Sequence, residues 1–122
     1  MSIATAAEIR EFAKKTQDQL NLLEFGAVQV DDTGIVKSYN KYESELGNTP
    51  ISDALGKNFF TQVAPCTNNR LIFGKFKDGV AANFLDTEVN FVFTYKIRPV
   101  NVTVQMFRDT TAKTNWLLVK RR

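Results

Sequence analysis

Histidine is absent from these 122 residues, and cysteine occurs once, at Cys66. The first absence removes Ser–His and Cys–His catalytic pairs, HExxH zinc sites and any imidazole acid or base near neutral pH. The second removes an internal disulfide, which fits a reducing compartment. Asp31, Asp32, Asp53 and Asp86 are scattered at turns without metal-ligand spacing, and no P-loop or GxGxxG pattern occurs. No apolar run approaches the roughly 18 residues that span a bilayer. The opening "MSIATAAEIREF" lacks a charged segment followed by an apolar one, so no secretory signal is read. A cytoplasmic, non-membrane, non-enzymatic protein is the expectation.

What is present suits one folded unit. Hydrophobic residues make up 43% and charged residues 24%, with ten phenylalanines to fill a core rich in rings. A single domain over residues 1–122 follows from the length, since no repeat or linker interrupts it. Net charge is +3, part of it in the terminal Lys120-Arg121-Arg122. No basic stripe with interleaved aromatics accompanies that tail, so a solvated end is expected and no nucleic-acid partner.

Hydrophobic periodicity outlines the fold. Ile9, Phe12, Ala13, Leu20 and Leu23, with Thr16 on the same line, predict one amphipathic helix over Ala7 to Leu23. "FGAVQVDDTGIVKSYN" reads as a hairpin, with turn chemistry at Asp31 to Gly34. Residues 40–63, punctuated by Gly47, Pro50 and Gly56, predict short helices and turns. Ile72, Phe73, Phe76 and Val80 predict a helix within Arg70 to Ala82, despite Gly74 and Gly79. Alternation in "EVNFVFTYKI" and "VNVTVQMF", then "TNWLLVK" after a polar turn at Asp109 to Lys113, predicts three more strands. An α+β fold follows: a five-stranded antiparallel sheet, mid-chain helices on one face and the N-terminal helix on the other, in a PAS-like arrangement.

Residue chemistry leaves Cys66 with three readings: a small buried hydrophobe, a nucleophile without a histidine to activate it, or an attachment point. Only the last needs no base. On the same footing Tyr39 is a half-buried strand end and Glu43 a solvated carboxylate.

The stretch "GKNFFTQVAPCTNN" around Cys66 resembles the chromophore-attachment segment of the photoactive yellow proteins. The resemblance runs in register through "LEFGAVQVDDTGIVKSYN", "SYNKYE", "FGKFKDGVA", "FVFTYK" and "WLLVKRR", from about Leu20 to Arg122. It implies a PAS fold with residues 1–24 as an N-terminal helical cap and 25–122 as the PAS core. It implies 4-hydroxycinnamic (p-coumaric) acid bound as a thioester on Cys66, whose backbone amide holds the thioester carbonyl. Tyr39 and Glu43 would hydrogen-bond the phenolate oxygen, and blue light would drive a photocycle through trans–cis isomerisation, proton transfer from Glu43 and partial unfolding of the N-terminal region. A phenolate can be buried only if its oxygen is hydrogen-bonded, so Glu43 must be neutral to donate.

The same resemblance assigns Val28, Phe59, Val63, Ala64, Pro65, Thr67, Phe93 and Tyr95 to the pocket. Three further pocket positions depart from the family pattern. Gly47 stands where a threonine commonly supports the site tyrosine, and Thr49 where an arginine commonly lids the ring. Ile97 replaces a methionine that aids dark recovery, which predicts slow recovery here. The rival expectation is a PAS ligand-binding or interaction module without a photoactive chromophore. A downstream signalling partner of unknown identity is expected in either case, with the chain monomeric or weakly dimeric.

Overall fold

The computed structural model describes residues 3–94 and 98–122. Five strands, β1 (Gly26–Val30), β2 (Val36–Tyr39), β3 (Asp86–Phe93), β4 (Val100–Asp109) and β5 (Thr114–Arg121), form one sheet. Its order is β2-β1-β5-β4-β3, with every neighbouring pair antiparallel. The first and last strands, β1 and β5, are therefore neighbours within the sheet. This is the expected PAS-type α+β architecture.

Period-2 alternation separates the two faces. Val28, Val30, Val102, Val104, Met106, Leu117 and Val119 point to the larger core with the mid-chain helices. Ala27, Phe107, Trp116 and Leu118 point to a smaller core beneath the N-terminal segment. The β1–β2 turn is fixed by Asp31, whose Oδ1 accepts from the Thr33 and Ile35 amides at 2.9 and 3.0 Å. Gly34 completes it at φ 98°, a conformation glycine adopts without steric cost.

The N-terminal segment corrects one expectation. In place of one helix there are two, α1 (Ala6–Phe12) and α2 (Gln17–Leu20). Each begins with a reciprocal capping box: Thr5 with Glu8, and Thr16 with Gln19. The Thr16 cap needs an extended backbone, φ −74° and ψ 167°, which cannot continue a helix. Ile9, Phe12 and Leu20 are buried as expected, but Ala13 and Thr16 face solvent.

The mid-chain region is a series of short helical pieces: α3 (Lys41–Gly47), α4 (Ile51–Ala54), a π-helical turn at Phe59–Val63 and a 3₁₀ turn at Pro65–Thr67. A second π-helical turn, Arg70–Gly74, leads into α5 (Lys75–Ala82). Phe60 stacks on Phe73 with centroids 4.5 Å apart and meets Phe76 at 4.8 Å, tying this region together. No helix among the described residues is long and apolar enough to cross a membrane.

Candidate functional site

The site grows from the start of α3. Asn40 caps this helix: its Oδ1 accepts from the Glu43 amide at 3.2 Å and from the Ala27 amide of β1 at 3.0 Å. Its Nδ2 donates to the carbonyls of Leu20 and Phe25, both at 3.0 Å. One fully buried side chain thus joins α2, β1 and α3, and it folds the first turn of α3 onto the sheet.

Glu43 is carried inward by that turn and is only 1% exposed. Its Oε1 is buried with no hydrogen-bond partner. Burial pushes the carboxyl up to about 8, so it is protonated at neutral pH. Tyr39, at the end of β2, is equally buried. Burial foremost, and then the Glu43 charge, hold its phenol well above the ordinary tyrosine range. The Tyr39 hydroxyl donates to the backbone carbonyl of Glu43 at 3.5 Å, the limit of a useful bond. Among the described residues, then, the site holds two neutral O–H groups, on Tyr39 and Glu43, for which no acceptor closer than 3.5 Å is found. Residue chemistry alone placed Glu43 in solvent; the Asn40 cap is why it is inside.

Cys66 lies in the middle of the Pro65–Thr67 turn, half-buried and packed against the larger core. Pro65 suits the first position of such a turn, where no amide is needed. Thr67 is fully buried and donates to the Ala64 carbonyl at 2.7 Å, while Asn69 Nδ2 holds the Cys66 carbonyl at 3.0 Å. Tyr39, Val28, Phe59, Val63, Ala64 and Phe93 belong to the same core that Cys66 packs against.

The remaining pocket candidates are placed as follows. Gly47 adjoins the Tyr39 hydroxyl: a Cβ there would sit 3.6 Å from it, in ordinary contact. Thr49 is buried, its hydroxyl donating to the Gly47 carbonyl at 3.2 Å and its own carbonyl accepting from Ser44 Oγ at 2.7 Å. Pro65 is half-buried beside Cys66. Tyr95 and Ile97 lie outside the described residues.

Sequence reasoning missed Asn40 and Gly26. Asn40 carries a signal, because Asn-x-x-Glu is a helix-start spacing and asparagine is a favoured N-cap. Gly26 carries a weaker one: a lone glycine in a strand marks a close approach of something else.

Three similarities bear on this arrangement. The photoactive yellow protein of Rhodothalassium salexigens is 42% identical over 103 residues, 84% of this chain and 82% of that one. The photoactive yellow protein domain of the sensor histidine kinase Ppr from Rhodospirillum centenum superposes with a TM-score of 0.87 at 34% identity, covering 93% of this chain and 99% of that domain. The PAS domain of an HTR-like protein from Haloarcula marismortui, 12% identical, matches in fold alone, with a TM-score of 0.62 over 93% of this chain and 99% of that one. No protein-family model matches the chain.

Proposed function

This chain belongs to the photoactive yellow protein family, and from that membership we propose that it is a blue-light photoreceptor carrying p-coumaric acid as a thioester on Cys66. The observation that carries the proposal is the buried Glu43 carboxyl, protonated and with Oε1 unpartnered, on the residue whose backbone carbonyl the Tyr39 hydroxyl meets, Tyr39 itself belonging to the core that Cys66 packs against. Two neutral donors without a short acceptor fit an anionic oxygen, whereas an ionised carboxylate there would repel one.

When bound, the chromophore supplies blue-light absorption and a double bond that isomerises. The chain supplies everything else. Cys66 Sγ would form the thioester by displacing the leaving group of an activated p-coumaroyl donor, and the Cys66 amide would hold its carbonyl. Tyr39 Oη and the Glu43 carboxyl donate to the phenolate. The apolar walls of Val28, Phe59, Val63 and Phe93 exclude water, which strengthens those hydrogen bonds.

Glu43 holds the proton in the dark and gives it up after illumination. A carboxylate left at that buried position has no partner, a stress of several kcal/mol on a domain of ordinary marginal stability. Release of α1 and α2 from the sheet relieves it, because Asn40 and Gln17 bind that segment directly to the site strand and to α3. Residues 1–24 act as the mobile cap and 25–122 as the sensor core of one photosensor domain, which signals by contact with a downstream protein.

The test is an absorption spectrum and intact mass after activated p-coumaric acid is added to the purified protein, with Cys66→Ala alongside. A visible band that bleaches in blue light and recovers in the dark, with one thioester mass increment absent from the variant, is expected. A protein that gains no adduct, or an adduct without a red-shifted band, overturns the photoreceptor reading and leaves a PAS binding module.

A further inference from the structure

The Glu43 side chain lies directly over β1 at Gly26. A Cβ at residue 26 would overlap Glu43 Oε1 and stand 3.2 Å from both Cβ and Cδ of Glu43. The conflict includes Glu43 Cβ, which is fixed to the α3 backbone, so a change of rotamer alone does not remove it. Any side chain at residue 26 must push the carboxyl away, the helix away, or both.

Backbone geometry gives no other reason for this glycine. Gly26 is not in the left-handed region, and it pairs with Val119 in ordinary antiparallel register. An interior strand glycine costs about 0.5–1 kcal/mol relative to alanine. Gly26 opens β1, paired with Val119 of β5, and carries a cost of that kind. What it provides is room.

We infer that Gly26 is a positioning residue for Glu43: the notch left by its missing Cβ seats the carboxyl in the interior, beside Tyr39 and away from water. The groups facing that carboxyl carry no compensating charge. β1 presents no side chain at Gly26 and only the apolar Val28 next on the same face. β2 presents Tyr39, and among the described residues no ion pair involves Glu43. With nothing to stabilise an ionised form, the depth of the notch sets the proton affinity. The consequence for light sensing rests on Glu43 as the dark-state proton holder, but the seating itself does not.

The experiment follows the Glu43 side-chain carboxyl by carbon NMR against pH in the unloaded protein, wild type and Gly26→Ala. In the wild type the midpoint is expected near 8. In Gly26→Ala it is expected to fall at least tenfold in proton affinity, toward the ordinary carboxylate range. A folded Gly26→Ala with an unchanged midpoint overturns the inference. Should Gly26→Ala fail to fold, Gly26→Ala combined with Glu43→Ala decides instead, because the second change removes Oε1 and Cδ from the notch. The Glu43 Cβ that alanine keeps stands 3.2 Å away and needs only a small shift, so the overlap with Oε1 is the main conflict. Recovery of folding in the double variant supports the inference, and a double variant as unstable as Gly26→Ala overturns it by placing the main conflict elsewhere. Failure of the wild type to load chromophore would count against the photoreceptor reading and leave this titration untouched.

Discussion

Gly47 stands beside the Tyr39 hydroxyl with 3.6 Å between that oxygen and the place a Cβ would occupy. The space is ordinary, yet residue 47 puts no side chain there, and among the described residues the Tyr39 hydroxyl has only the distant Glu43 carbonyl to orient it. A hydroxyl carried on residue 47 could donate to Tyr39 and sharpen its own donation into the site. Gly47→Ser is therefore expected to stabilise the anionic chromophore. The acid midpoint at which the loaded protein loses its visible band should move down by about half a pH unit or more, the worth of a modest hydrogen bond. Gly47→Ala is the control, since it adds the Cβ without the hydroxyl. An acid titration in which serine and alanine behave alike removes the claim.

Burial of Glu43 gives the unloaded protein a characteristic pH dependence. The folded carboxyl holds its proton up to about 8, whereas its reference value is 4.5. Between those limits the folded state binds a proton that the unfolded state has lost. Stability therefore falls as pH rises through that window, by at most about 1.4 kcal/mol per pH unit, and this contribution levels off above it. Glu43→Gln should flatten that slope and be more stable than wild type at the alkaline end. Urea unfolding at half-unit pH steps reads both. A wild type without that slope would place the carboxyl in water, where it titrates alike in the folded and unfolded states.

How much of this was legible in the sequence differs between sheet and site. The strands were readable because alternation is a property of neighbouring residues: Leu117 and Val119 go to one face, Trp116 and Leu118 to the other. The break after Phe12 was also written locally, in the Thr16-to-Gln19 capping box that starts α2, but Ala13 and Thr16 continued the apolar line and concealed it. The π-helical turns at Phe59–Val63 and Arg70–Gly74 carry no comparable mark. Burial of Glu43 was not legible at all from its neighbours. It depends on Gly26 and on an Asn40 cap that reaches back to Leu20, contacts set by the tertiary fold. Likewise, nothing in the chemistry of a lone cysteine separates a buried Cys66 from an attachment point; only the family resemblance favours the second.

A second buried polar centre holds the opposite end of the sheet. Arg108, 4% exposed, donates from Nη1 to Asp32 Oδ1 at 2.7 Å and Asn115 Oδ1 at 2.8 Å, and from Nε to Asn83 Oδ1 at 2.8 Å. Asn115 in turn donates to Asp32 at 3.0 Å and to the Val30 carbonyl at 3.2 Å. Four segments are joined: the β1–β2 turn, β4, β5 and the C-cap of α5. Removing the cation leaves the buried Asn115 oxygen without its donor, so Arg108→Met is expected to cost roughly 2–4 kcal/mol. Asp32 is half-exposed and can turn to water, so Asp32→Asn should cost only about 1 kcal/mol. Denaturant unfolding of the two variants tests the order; equal losses would mean the ion pair, not the amide network, carries the effect.

The N-terminal segment is where light should be felt first. Ile9, Phe12 and Leu20 bury a small cluster against Ala27, Phe107, Trp116 and Leu118, much less extensive than the core on the other face. Polar ties add to it, notably Gln17 Nε2 donating to the Tyr39 carbonyl at 2.9 Å. A segment held by few large side chains and a handful of hydrogen bonds opens at low free energy, and stress at Glu43 reaches it through Asn40 and Tyr39. Amide exchange in residues 8–23 of the loaded protein is expected to speed up under blue light and to slow again in the dark. Gln17→Ala should raise the dark exchange of the Leu20 and Asn21 amides about fivefold, since one such bond is worth about 1 kcal/mol. The light-driven increase should then start from that higher baseline. Unchanged protection of residues 8–23 in the light would mean that the buried charge is relieved elsewhere, and the cap would lose its role in signalling.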